Sequence, residues 1–160
     1  MRCRSSSLGA TNDLTLVLES ARIHSGRLEL TPVAHPRDPD STERPTWHAS
    51  LTAGDLAVTL VAPEGDEEER TLAEFFDWIF EGRQGWDGER EWQSEFGGLR
   101  MTCVHDQINT VKMRVQLRGG VIPQWTVVAE LHMDPGRFHR IGANAQLFFD
   151  RFRGVAVESY

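Results

Sequence analysis

From Val111 to Arg118, apolar and polar residues alternate without a break: Val111, Met113, Val115 and Leu117 against Lys112, Arg114, Gln116 and Arg118. A period of two marks a strand with one buried and one wet face. The alternation continues on both sides between turn residues. Phe96-Gly97-Gly98-Leu99 reads as a two-residue hairpin, and pairing 96 with 99 sets Ser94 against Met101 and Trp92 against Cys103. The turn His105 to Asn109 pairs 104 with 110. That register places Met113 opposite Met101 and Arg114 opposite Arg100, with Glu95 beside the like-charged pair. Gly119 to Gln124 then brings Leu117 against Trp125, Met113 against Ala129 and Thr110 against His132. Residues 89 to 152 are thus predicted to form a four-stranded antiparallel meander followed by one helix.

Upstream, Leu14–Glu19 and Arg27–Thr31 read as strands around a Ser25-Gly26 turn, and residues 32 to 45, with four prolines, as a surface loop. Trp47, Ala49 and Leu51 alternate with polar residues, as do Leu56, Val58 and Leu60. Pairing 51 with 56 across Thr52-Ala53-Gly54-Asp55 puts all six on one face. Thr71-x-x-Glu74 is a capping box, followed by Leu72, Phe75, Phe76 and Ile79 at helical spacing and by Gly82 as a stop. Asp134-Pro135 opens a second helix with the stripe Phe138, Ile141, Ala145, Phe148, Phe149 and Phe152, ended by Gly154. The order predicts an α+β fold: an antiparallel sheet, N-terminal strands plus the four-stranded C-terminal meander, with two amphipathic helices packed on one face. Residues 1–13, polar and Ser-rich, are expected to be a flexible tail and 14–160 a single domain.

The 160 residues include five Trp and eight Phe, enough for a core that needs no disulfide or metal. Net charge is -7, which argues against a nucleic-acid or anionic-membrane binder. No stretch approaches the roughly 20 apolar residues of a membrane span, and no apolar leader follows Met1. Cys3 and Cys103 read as free thiols, Cys103 turned inward by strand parity, in a cytoplasmic setting.

Candidate chemistry is sparse. His105-Asp106 could supply an imidazole oriented by a carboxylate, with His132 nearby in the register above; the plainer reading is an Asx turn beside a solvated histidine. The six histidines lack zinc-motif spacing, and there is no nucleophile elbow, P-loop or dinucleotide fingerprint. No cofactor or metal is expected. Trp86, between Gly85 and Asp87, is either an exposed anchor or a plug at the core edge. The wet sheet face, with Arg100, Lys112, Arg114 and Arg118, and the acidic loop Glu64 to Arg70, with Asp66, Glu67, Glu68 and Glu69, are the candidate partner surfaces.

The strings Gly85-Trp86-Asp87-Gly88-Glu89-x-x-Trp92-x-Ser94, His105-Asp106, Val111-x-Met113-x-Val115-x-Leu117-Arg118, Trp125 and Asp134-Pro135-Gly136 resemble a family of small actinobacterial proteins of unknown function. The resemblance spans about residues 70 to 150, and Asn109-Thr110 stands where that family often has Gly-His. It implies an architecture and a source but no catalytic residue. Sixteen of the seventeen basic residues are Arg, as a GC-rich genome would give. The leading expectation is a non-enzymatic binding module, immunity-like or antitoxin-like, facing a basic protein partner. The alternatives are a small-molecule site or small enzyme near His105, Asp106 and His132, and an oligomer built on an edge strand or Trp86.

Overall fold

The computed structural model describes residues 15–20, 26–33, 46–65, 70–82, 84–108 and 110–158, with side chains as far as Arg151. The expected tail and the remainder of the proline-rich loop beyond Val33 lie outside them, as do Cys3, Ser25, Asn109 and the side chain of Phe152. Eight strands run in chain order: β1 (Leu16–Glu19), β2 (Arg27–Pro32), β3 (Thr46–Ala53), β4 (Leu56–Pro63), β5 (Glu89–Gln93), β6 (Leu99–His105), β7 (Val111–Gly119) and β8 (Trp125–Met133). Helix α1 (Leu72–Glu81) lies between β4 and β5, and α2 (Pro135–Glu158) follows β8. The fold is α+β. Its strands form two antiparallel four-stranded sheets, each in sequential order, β1-β2-β3-β4 and β5-β6-β7-β8.

Alternation sets the faces. Leu99, Met101, Cys103, Val111, Met113, Val115, Leu117, Leu131 and Met133 turn inward in the second sheet, as do Leu16, Leu18, Leu28, Leu30, Trp47, Ala49 and Leu51 in the first. These residues join the helix faces in one buried cluster. The sheets meet where the His132 amide of β8 donates to Ser20 Oγ just after β1, 3.0 Å away. The helices bring aromatic rings to the same core, with Trp47 5.9 Å from both Phe148 and Phe149, and Phe76 5.8 Å from Phe149.

Both helices start where their caps predict. The Glu74 amide donates to Thr71 Oγ1 and the Thr71 amide to Glu74 Oε1, each at 3.2 Å. The Arg137 amide donates to Asp134 Oδ1 at 2.8 Å. The C-terminal helix does not stop at Gly154 but continues to Glu158. A single helical glycine costs only about 1 kcal/mol, too little to end a helix without a competing cap.

Every hairpin register differs from expectation by two residues, and each difference has a local cause. Gly54, at φ +59°, turns the first hairpin with Asp55 alone, so Ala53 faces Leu56 and Leu51 faces Val58. Phe96 itself adopts φ +67° in a short 3-10 turn, Glu95–Gly97, and pairing moves to Trp92 opposite Met101. Asp106 Oδ1 accepts from the Ile108 and Thr110 amides, closing the next turn so that β6 runs on to His105 opposite Val111. The last hairpin extends to Gly119 opposite Trp125. A shift of two leaves the side chains of the paired strands on their expected faces but changes their neighbours. Arg100 therefore faces Gln116 rather than Arg114 and pairs diagonally with Glu91, at 2.8 Å, instead of Glu95.

Candidate functional site

His105 ends β6 on the inner face and is buried, with its imidazole edge against Trp86 at 5.2 Å between centroids. Its Nδ1 accepts from the Gln107 amide at 2.8 Å, so the neutral ring carries its proton on Nε2. Gln107, at φ +68°, also donates through Nε2 to the Trp86 carbonyl and to Asp87 Oδ1, tying the 84–88 corner to this turn. Asp106 Oδ1 lies 3.9 Å from His105 Nδ1, but that nitrogen is already an acceptor. The carboxylate thus shapes the turn instead of orienting the imidazole. His132 sits opposite Lys112 on the outer face, its Nε2 3.8 Å from Glu130 Oε2. Sheet parity therefore separates His132 from His105, and the expected grouping of His105, Asp106 and His132 does not form. His105 is also not the solvated side chain of the plainer reading.

A cleft of about 820 Å³ does open beside His105. Asp77, Phe80 and Glu81 of α1 form one wall, Phe138, His139, Gly142 and Gln146 of α2 the other, and Ile108 closes the strand end. The helices approach closely there: a Cβ on Gly142 would lie 3.1 Å from the Phe80 ring, and the Phe80 and Phe138 rings meet at 45° with centroids 4.7 Å apart. Among the described residues no three His, Cys, Asp or Glu side chains are placed to hold a metal ion.

The expected partner residues divide. Asp66, Glu67, Glu68 and Glu69 lie outside the described residues. Glu64, grouped with them by sequence, is buried. Its carboxylate accepts from the Trp47 indole at 3.3 Å, the Gly65 amide at 3.1 Å and the Leu72 amide at 2.8 Å, so it ties β3 to the start of α1. Trp86 is only 7% exposed and holds the core edge; the Arg90 guanidinium stacks 4.5 Å over its ring. It offers no exposed anchor. Arg100, Lys112, Arg114 and Arg118 stand on the outer face, all exposed. Glu91 raises the Arg100 pKa, first through their hydrogen bond and then through its charge. Arg114 meets Glu130 at 3.5 Å, and Arg118 donates to the Phe96 carbonyl at 3.3 Å. The face carries ordered charges of both signs.

One end of this sheet holds residues that the sequence reading passed over. Phe96, expected to face inward in a hairpin, is 85% exposed; Val121 and Ile122, in the β7–β8 turn, are 89% and 94% exposed. Arg118 links the two turns, its amide donating to the Gly98 carbonyl at 2.8 Å and its side chain to Phe96. The sequence signal was present: Val121-Ile122 is an apolar pair inside a Gly-Gly…Pro turn, where polar residues are the norm.

No helix among the described residues is long and apolar enough to cross a membrane. No curated protein and no solved structure gives a significant match to the chain. A family model matches residues 55–151, more than half of the sequence, from β4 into α2. The chain therefore belongs to the family of unknown function DUF6228.

Proposed function

We propose that the protein is a non-enzymatic, cytoplasmic protein-binding module of the immunity or antitoxin kind. The reading is carried by Phe96, Val121 and Ile122, three large apolar side chains 85–94% exposed on neighbouring turns. Exposed apolar clusters rimmed by polar groups are the usual anchors of protein interfaces, because burying them against a partner removes them from water. Arg118, bonded to the Phe96 carbonyl, and Arg100 on the same outer face supply the polar surround, with Arg114 and Lys112 further along β7. The -7 net charge, concentrated in part at Asp66 to Glu69, steers a partner with a basic surface toward the molecule.

A Phe96→Ser, Val121→Ser, Ile122→Ser variant tests the reading. Tagged wild type is expected to retain one stoichiometric protein from the host lysate, and the variant to lose it while keeping its melting temperature. An identical set of captured proteins for both would reject the turn surface. Capture unaffected by salt and by neutralising Glu67, Glu68 and Glu69 would reject the steering.

A further inference from the structure

We infer that the cleft between α1 and α2 binds a small organic amine: an ammonium group on an apolar body with a hydrogen-bond acceptor at its far end. Three features of the cleft specify the three parts of that ligand.

The acceptor is specified by His105. Its side chain is only 2% exposed, Nδ1 is committed to the Gln107 amide, and no group among the described residues accepts from Nε2. Nε2 is not one of the fully enclosed unpaired atoms, Trp86 Nε1 and Arg137 Nε, so it keeps surface through which an acceptor can pair with it. Because the ring lines the cleft, an occupant of the cleft is what can reach that donor.

The ammonium is specified by Asp77 and Glu81, one helical turn apart on the cleft wall. Glu81 ends α1 and Asp77 stands one turn before it, and the last turn holds no basic residue of its own. The negative end of the helix dipole is the unfavourable place for carboxylates, and a cation there relieves both. Arg90 does reach this end, donating to the Trp78 carbonyl at 2.6 Å, but its guanidinium stacks between Trp78 and Trp86. At the α2 end the Arg137 amide is already capped by the Asp134 carboxylate, which brings a further negative charge there. The lining contains no Lys or Arg; His139 and Gln146 complete it with exposed polar groups.

The apolar body is specified by Phe80, Phe138 and Ile108, the last 82% exposed. A volume of about 820 Å³ lies within the usual range for small-ligand sites, roughly 300–1,000 Å³. The cleft lies at the His105 end of β6 and the exposed turns at the opposite end, so this inference does not rest on the partner-binding reading.

The test uses the full chain, titration calorimetry and three probes of similar size: tyramine, phenethylamine and phenylacetate. Tyramine has an ammonium and a phenol oxygen, phenethylamine lacks the oxygen, and phenylacetate carries the opposite charge. Tyramine is expected to bind at least about tenfold more tightly than phenylacetate, and more tightly than phenethylamine. The exposed pair Asp77→Asn and Glu81→Gln is expected to weaken tyramine at least about tenfold with an unchanged melting temperature. No tyramine binding at millimolar concentration, equal binding of phenylacetate, or full affinity in the double variant overturns the proposal. Equal binding of phenethylamine overturns the contact assigned to His105.

Discussion

Cys103 lies between Thr102 and Val104 on β6 and, unlike Val104, faces the core with no exposed surface. Burial pushes its thiol above the ordinary range, because an ionised sulfur there would lose its water; the nearby Arg90 charge lowers it by less. A Cys3→Ser variant is therefore expected to give no colour with a disulfide reagent at pH 8 until urea unfolds it; immediate reaction would contradict the inward placement. The native thiol also titrates above the unfolded one. The unfolded chain thus loses its proton first, and stability falls as pH rises past about 8.5. Parity alone was enough to foresee this burial. It was not enough for Phe96, whose parity pointed inward. A residue at φ +67° has left the strand, and alternation says nothing about where its ring goes.

Elements were legible where local chemistry acts alone. Thr71 with Glu74 and Asp134 with Pro135 announce their helices, because the groups they satisfy are within four residues. The sheet faces were legible for the same reason: strands alternate whatever they pair with. Registers were not, since each depends on how many residues a turn consumes. Asp106, which closes its turn with one carboxylate oxygen, moves the five-residue loop on by one position, from 105–109 to 106–110. Glu64 was the harder case. Nothing in Pro63 to Glu69 separates it from its acidic neighbours, yet it joins three donors from separate parts of the chain. Replacing it with Ala leaves the Trp47 indole and Leu72 amide unpaired in the core and is expected to cost roughly 2–4 kcal/mol. Glu64→Gln, whose amide nitrogen cannot accept from the indole, is expected to cost less but still to lower the urea midpoint. A midpoint unchanged in both variants would mean that the bonds carry no net stability.

At the scale of the whole molecule, long-range placement decides what the chain can do. His105 was singled out by its neighbour Asp106. The groups that now surround it come from two helices 60 residues apart, Asp77 and Glu81 on one and Phe138 and His139 on the other. No spacing rule links those stretches; only the packing of α1 on α2 over Gly142 brings them together. His132 went the other way, two positions beyond Glu130 on a strand whose outer face turns from the cleft.

The family match begins at residue 55, just inside the β3–β4 hairpin. It takes in β4 and omits β1, β2 and β3, so it cuts one sheet through a hydrogen-bonded pair. A fragment of residues 55–151 would keep Glu64 but lose the Trp47 indole that meets it, and would bare the β4 edge together with Ala62. Such an edge invites strand addition. The fragment is expected to elute as aggregates on gel filtration, and a monodisperse monomer would show that β4 can close on the second sheet alone. The first three strands thus act as a sheath over the β4 edge, supplied by the chain's own first third.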